Sequence, residues 1–171
     1  MSDIAPLDPG RIIRVLHENE VQFVLIGALA ARLHGFPRLT ADADITPSRT
    51  KENLERLAKA LRRLKAKVYT ESVPEGLAFD CSATKLGRAD MWNLVTGAGR
   101  IDVAFKPAGT EGFDDIARNA EKFEAYGVVF LAASLSDIIR SKEAAGRPKD
   151  KDDVVLLKEI LKREKNASEN N

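Results

Sequence analysis

Gly35 to Ile45, reading GFPRLTADADI, is the stretch that decides the fold. Asp42 and Asp44 stand two residues apart, just before Ile45 and just after Arg38 and Thr40. In a strand, alternate side chains leave the same face, so both carboxylates point one way while Ala43 and Ile45 point the other. The pattern predicts a strand with one apolar face and one paired-acid face. Two carboxylates held that closely repel unless something positive lies between them.

Outward from this strand the chain alternates between helical and extended periodicity. Asp8-Pro9 opens a helix with proline at its first position, and Ile12, Ile13 and Leu16 supply an inward stripe. VQFVLI (21–26) predicts a strand running straight into a small helix, Gly27 to His34, ended by Gly35. After the strand at 42–46, Ser48 is expected to cap a long helix in which Leu54, Leu57, Ala58, Leu61 and Leu64 repeat at helical spacing. A strand at 68–70 follows. Pro74, Gly76 and Gly87 break up the stretch from 71 to 88, where an irregular connection with one strand near 77–81 is expected. DMWNLVTGAGRIDVAF (90–105) predicts a hairpin turning at Gly97 to Gly99. A short helix near 111–119, a strand at 127–131 and two closing helices, 134–146 and 150–164, complete the reading. The polar residues 166–171 are expected to be disordered.

This order predicts an α/β (α+β) fold: a mixed sheet flanked by helices, with a helical C-terminal piece. The 171 residues suffice for one core. The expectation is a single minimal domain over 1–165, with its catalytic core at about 11–132 and the C-terminal helical part at 134–165.

A net charge of +1 gives no whole-molecule pull toward nucleic acid. The local basic cluster Arg62, Arg63, Lys65 and Lys67 reads as a solvated helix end. A single cysteine, Cys81, excludes an internal disulfide framework and fits a reducing compartment. No signal-like run or membrane-length apolar stretch is present, so a cytoplasmic protein without a membrane partner is expected.

Chemistry can sit at four places. Ile26-Gly27-Ala28 joins a strand directly to a helix, leaving unpaired N–H groups to which a phosphate can come close over glycine. Close packing explains the same glycine. The second place is the Asp42/Asp44 pair, which an acidic strand edge facing water also explains. In GRIDVAF, however, Ile101, Val103 and Phe105 take one face and leave Asp102 on the other. If the two strands are neighbours, three carboxylates converge and call for a hard cation such as Mg²⁺. Two such ions about 3.5–4 Å apart serve phosphoryl chemistry. Third, Lys142 falls on the inward stripe of SLSDIIRSKEAAGR with Ile138 and Ile139, where it either snorkels outward or pairs with phosphate in a cleft. Fourth, Asp150 and Asp153 in RPKDKDD have capping spacing, yet align with Val154, Leu157 and Leu161 and can fix Lys142, Arg147 or a metal-bound water. His17 and His34 lack a ligand-spaced partner and read as packing or helix-end residues. No P-loop, G-x-G-x-x-G or serine elbow occurs.

Together, Gly27-Ala28, Asp42-Ala43-Asp44-Ile45 and Asp102 resemble the signature of the nucleotidyltransferase superfamily with the DNA polymerase β-like fold. PRLTADADI is similar to its small bacterial members. KEAAGRPKDKDD, carrying Lys142, Arg147, Asp150 and Asp153, is similar to motifs of the AbiEii and MenT-type toxin nucleotidyltransferases. The resemblance spans about residues 11 to 160. It implies transfer of a nucleoside monophosphate from an NTP to an acceptor hydroxyl, with Mg²⁺ on Asp42, Asp44 and Asp102. Asp42, Asp44, Asp102 and Lys142 would be catalytic. Gly27, Ala28, Arg38, Thr40, Arg147 and Asp150 would bind the nucleotide. The implied acceptor is the 3′ end of tRNA, with the protein acting as the toxin partner of a cognate antitoxin. A protein hydroxyl, a small antibiotic, or a catalytically degenerate binding module are the alternatives. Ala28 departs from the pattern, standing where many active relatives have serine.

Overall fold

The computed structural model describes residues 4–171. Seven strands form one mixed sheet in the order β3-β4-β5-β2-β1-β7-β6. They are β1 (Phe23–Ile26), β2 (Asp42–Pro47), β3 (Lys67–Val68), β4 (Met91–Thr96), β5 (Gly99–Ala104), β6 (Glu121–Ala125) and β7 (Val128–Ala132). The helices are α1 (Pro9–Glu18), α2 (Gly27–Leu33), α3 (Lys51–Arg63), α4 (Ala83–Leu86), α5 (Phe113–Ala117), α6 (Leu135–Ala145) and α7 (Asp150–Glu169). This is the mixed α/β architecture that the alternating periodicities predict.

The centre of the sheet follows from alternation. β2 pairs parallel with β5 and antiparallel with β1, placing Ala43 beside Ile101, and Ile45 beside both Val103 and Leu25. These residues are buried and join one apolar cluster with Ile12, Ile13 and Leu16 of α1 and Leu54, Leu57 and Leu61 of α3. The other side chains of the same strands leave the opposite face. Ile26, Asp44, Asp102 and Asn93 therefore form one row across four strands.

Several local expectations need correction. The long helix is capped by Thr50, whose hydroxyl accepts from the Asn53 amide, rather than by Ser48. Ser48 instead continues the strand, donating its N–H to the Gln22 carbonyl at 3.0 Å. The strand expected near 77–81 is reduced to a single bridge between Val68 and Leu77. A short helix capped by Ser82 follows it. β6 had no counterpart in the reading, because Phe123 is its only large apolar residue. It is an edge strand, and its charges suit that position. The hairpin it makes with β7 turns at Tyr126 (φ 56°) and Gly127 (φ 79°), a primed two-residue turn. The last helix does not stop at 164; it runs through Glu169, into the segment expected to be disordered.

His34 shows how α7 is held. Its buried ring faces the Glu164 carboxylate through Nδ1 at 3.0 Å and the Ala133 carbonyl through Nε2 at 3.0 Å. This fits the packing role expected of it. No described helix is long and apolar enough to cross a membrane.

Candidate active site

Asp44 and Asp102 lie opposite each other across the parallel β2–β5 pair, and Asp42 lies opposite Arg100. One oxygen from each of Asp42, Asp44 and Asp102 falls within 4.8 Å of the other two. The inferred convergence of three carboxylates is therefore a consequence of register: one strand offers two acids of the same parity, and its neighbour offers the third.

Electrostatics show how uncomfortable this arrangement is without a cation. Burial, followed by repulsion from Asp42 and Asp102, pushes the Asp44 carboxyl up to about 7. Burial and repulsion from Asp42 push Asp102 up to about 6, against the pull of Arg100. The Asp102 Oδ1 atom is buried without a hydrogen-bond donor. Arg100 Nη2 stands 3.9 Å from it, too far to donate. An all-oxygen donor set with an orphaned buried oxygen fits a hard divalent cation.

The loops around the triad serve to aim it. The Thr40 hydroxyl lies 3.0 Å from the Asp42 carbonyl and 3.1 Å from its Oδ1, so Thr40 orients the acid. Gly27 has φ +68°, a conformation that disfavours side chains, and a Cβ there would collide with the Asp44 carboxylate. The glycine at the strand–helix junction is thus required by Asp44 as well as by any phosphate. α2 has only seven residues and no side-chain cap, and half-buried Ala28 sits in its first turn.

A cavity of about 370 Å³ opens beside the triad, within the range of small-molecule sites. Gly27, Asp44, Asp102, Lys142 and Arg147 line it, with Met91, Asn93, Ile116, Asp137 and Ile138 among its other walls. Lys142 is neither snorkelled nor free. Its Nζ lies 3.2 Å from Asp150 Oδ1 and 3.5 Å from Asp153 Oδ2, and its charge draws the Asp44 carboxyl downward.

Asp150 and Asp153 are buried and support these cations, so the capping explanation of their spacing does not hold. Lys149 occupies the α7 cap position, and no side chain caps the helix. Arg147 reaches Asp150 Oδ2 through Nε at 2.7 Å and Oδ1 through Nη2 at 3.3 Å. Burial alone would raise the Asp150 carboxyl, but hydrogen bonds from Arg147 and Lys142 outweigh it and hold the group below its ordinary range. Arg38, expected near the nucleotide, instead donates to Asp153 Oδ2 at 2.8 Å and is not a cavity wall. Asp150 likewise lies behind the wall, reaching the cavity only through Lys142 and Arg147.

Sequence reasoning missed three features. Asn93 faces Asp102 only through hairpin register. Asp137 stands in the cavity wall with Arg140 Nη2 at 3.0 Å. Arg100 was legible in principle, being two residues before Asp102 on the same strand face.

No protein-family model matches the sequence, and no curated protein does either. A solved structure does. It is described as that of a "putative nucleotidyltransferase (TM1012) from Thermotoga maritima", and it aligns over 93% of this chain and 97% of its own with a TM-score of 0.51. The chain has the nucleotidyltransferase fold. At 15% identity the likeness concerns the fold alone, and the chemistry must be argued from the side chains described above.

Proposed function

We propose that this protein is a Mg²⁺-dependent nucleotidyltransferase that transfers a nucleoside monophosphate from an NTP to an acceptor hydroxyl. The observation that carries this reading is the row of carboxylates on β2 and β5, opening beside a cavity that Lys142 and Arg147 also line. Asp42, Asp44 and Asp102 would hold the metal, which on binding supplies charge neutralisation of the triphosphate and acidity for the attacking hydroxyl.

The acceptor oxygen attacks the α-phosphorus, forming one P–O bond as the bond to the bridging β-phosphate oxygen breaks. Pyrophosphate leaves. Asp102, with its orphaned Oδ1, accepts the hydroxyl proton or passes it to solvent. Lys142 and Arg147 face the leaving pyrophosphate from the cavity wall, where fixed cations offset the charge developing on it. Gly27 lines the cavity and keeps the chain clear of Asp44, and the first N–H groups of α2, which no side chain caps, would take a phosphate without a serine hydroxyl. The acceptor that the motif resemblance supports is the 3′ end of tRNA, which would make the protein the toxin of a toxin–antitoxin pair.

The test is incubation with Mg²⁺, each α-labelled NTP in turn, and total tRNA or lysate protein. Label entering tRNA from one nucleotide, and not with Asp42→Ala, is the expected result. Transfer that survives Asp42→Ala would overturn the reading.

A further inference from the structure

The cavity beside the triad differs from one end to the other. Helix α6 presents Asp137, Ser141 and Lys142 to it. Lys142 lies five positions beyond Asp137, a rise of roughly 7.5 Å along the helix. The Lys142 end is cationic and acts on Asp44. The other end holds an acid. There Arg140 joins Asp137 to Asp115 of α5, whose neighbour Ile116 is a further wall.

Asp137 has an unfilled oxygen. Its side chain is only 8% exposed. Oδ1 faces Arg140 Nη2 at 3.0 Å, and that nitrogen is shared with Asp115 Oδ2 at 3.1 Å. Oδ2 is buried with no hydrogen-bond partner. Helix capping does not use it either. The Ser134 hydroxyl accepts from the Asp137 amide at 3.1 Å, but Oδ2 takes no bond back from the cap, as an acid at this position ordinarily does. A carboxylate can only accept, and a buried acceptor left empty is costly. In a cavity wall it suits a ligand that brings a donor.

The transferase reading supplies the ligand's direction, and the inference rests on it for that. Phosphates go to Lys142 and Arg147 and are repelled by Asp137, which leaves the acid end to the nucleobase. One free oxygen matches one N–H. Cytosine and adenine offer an exocyclic amine with an acceptor ring nitrogen beside it. The Ser141 hydroxyl, one turn further along the same helix face, can donate to that nitrogen. Uracil and guanine carry a carbonyl where the amine would be, setting oxygen against oxygen.

We propose that Asp137 is the base-reading residue of this cavity, taking the exocyclic amine of cytosine or adenine and rejecting uracil and guanine. Specificity of this kind follows from the unpaired group itself, because a base without the donor leaves it empty.

The experiment measures binding, so that it does not depend on turnover. The full chain with Mg²⁺ is titrated calorimetrically with the α,β-methylene analogues of CTP, UTP, ATP and GTP. Bases are compared within a size class, C with U and A with G, so that fit to the cavity cancels. In each class that binds, the amine-bearing member should bind about tenfold more tightly, the effect of one hydrogen bond to a charged group. Asp137→Asn should bring that ratio to about one, since an amide offers a donor as well as an acceptor. Asp137→Ser gives the same readout if the asparagine variant does not fold. A residue needed only for its ion pair with Arg140 would weaken both members alike and leave the ratio unchanged.

Equal binding within each class, preference for uracil or guanine, or a ratio that survives both substitutions overturns the inference. Transfer that runs best from UTP or GTP overturns it too, while leaving the transferase reading intact. Amine-selective binding that needs Asp137, with no transfer to any acceptor, does the reverse. Binding of none of the four overturns both.

Discussion

Asp44 and Asp102 face each other across a parallel strand pair, each buried enough to hold its proton well above the ordinary carboxylate range. Removing one charge should therefore relieve the metal-free protein. Asp44→Asn is expected to melt at a higher temperature than wild type in EDTA. It should also lose the stabilisation by Mg²⁺ and about three orders of magnitude or more in transfer rate, a loss on the scale of removing a main source of transition-state charge stabilisation. Paired thermal melts and initial rates check both halves.

The pH dependence follows from the same two groups. Asp44 titrates at about 7 and Asp102 at about 6 in the fold, against 3.8 for an ordinary aspartate. Between these limits the folded protein binds protons that the unfolded chain has released. The contribution of these two acids to stability is thus fully present below about pH 4 and is lost as pH rises through 6 to 7. A bound divalent cation must displace those protons, so its stabilising effect should grow over the same window. Melting curves with EDTA or Mg²⁺, taken from pH 5 to pH 8, should diverge with increasing pH.

Asp150 behaves oppositely. Its carboxyl is held below the ordinary range by Arg147 and Lys142, and its contribution is present above about pH 4 and disappears in acid. Asp150→Ala leaves Lys142, itself only 14% exposed, with the 3.5 Å contact to Asp153. A loss of about 3 kcal/mol is expected from breaking a buried pair, read by urea denaturation at pH 7. The nucleotide KM should rise with it, because Lys142 and Arg147 lose their anchor.

Gly27 and Gly35 separate backbone strain from collision. Both have positive φ, but a Cβ at Gly35 meets nothing, whereas one at Gly27 meets Asp44. Gly35→Ala should cost about 1 kcal/mol of left-handed strain. Gly27→Ala should cost more than that and weaken Mn²⁺ binding as well. Chemical denaturation and Mn²⁺ titration of the two variants check this.

The parity of Asp42, Asp44 and Asp102 was legible because alternation in a strand depends on nothing outside it. Which acids meet was not, since that depends on β5 lying parallel beside β2. The same limit hid the tie from Arg38 to Asp153, residues 115 positions apart. β6 escaped for another reason: an edge strand rich in charge carries little of the apolar alternation by which strands are read. Lys142 was placed on the inward stripe of its helix by periodicity and Asp150 and Asp153 were legible as its partners, but the choice among their roles needed the packing of α7 against α6.

The most direct test of the account is diffraction from crystals grown with Mn²⁺ and an NTP whose α–β bridge cannot be cleaved. Anomalous density is expected within coordination distance of Asp42, Asp44 and Asp102, with the triphosphate running into the cavity toward Lys142. Manganese absent from the three acids, or a triphosphate bound away from them, would contradict it.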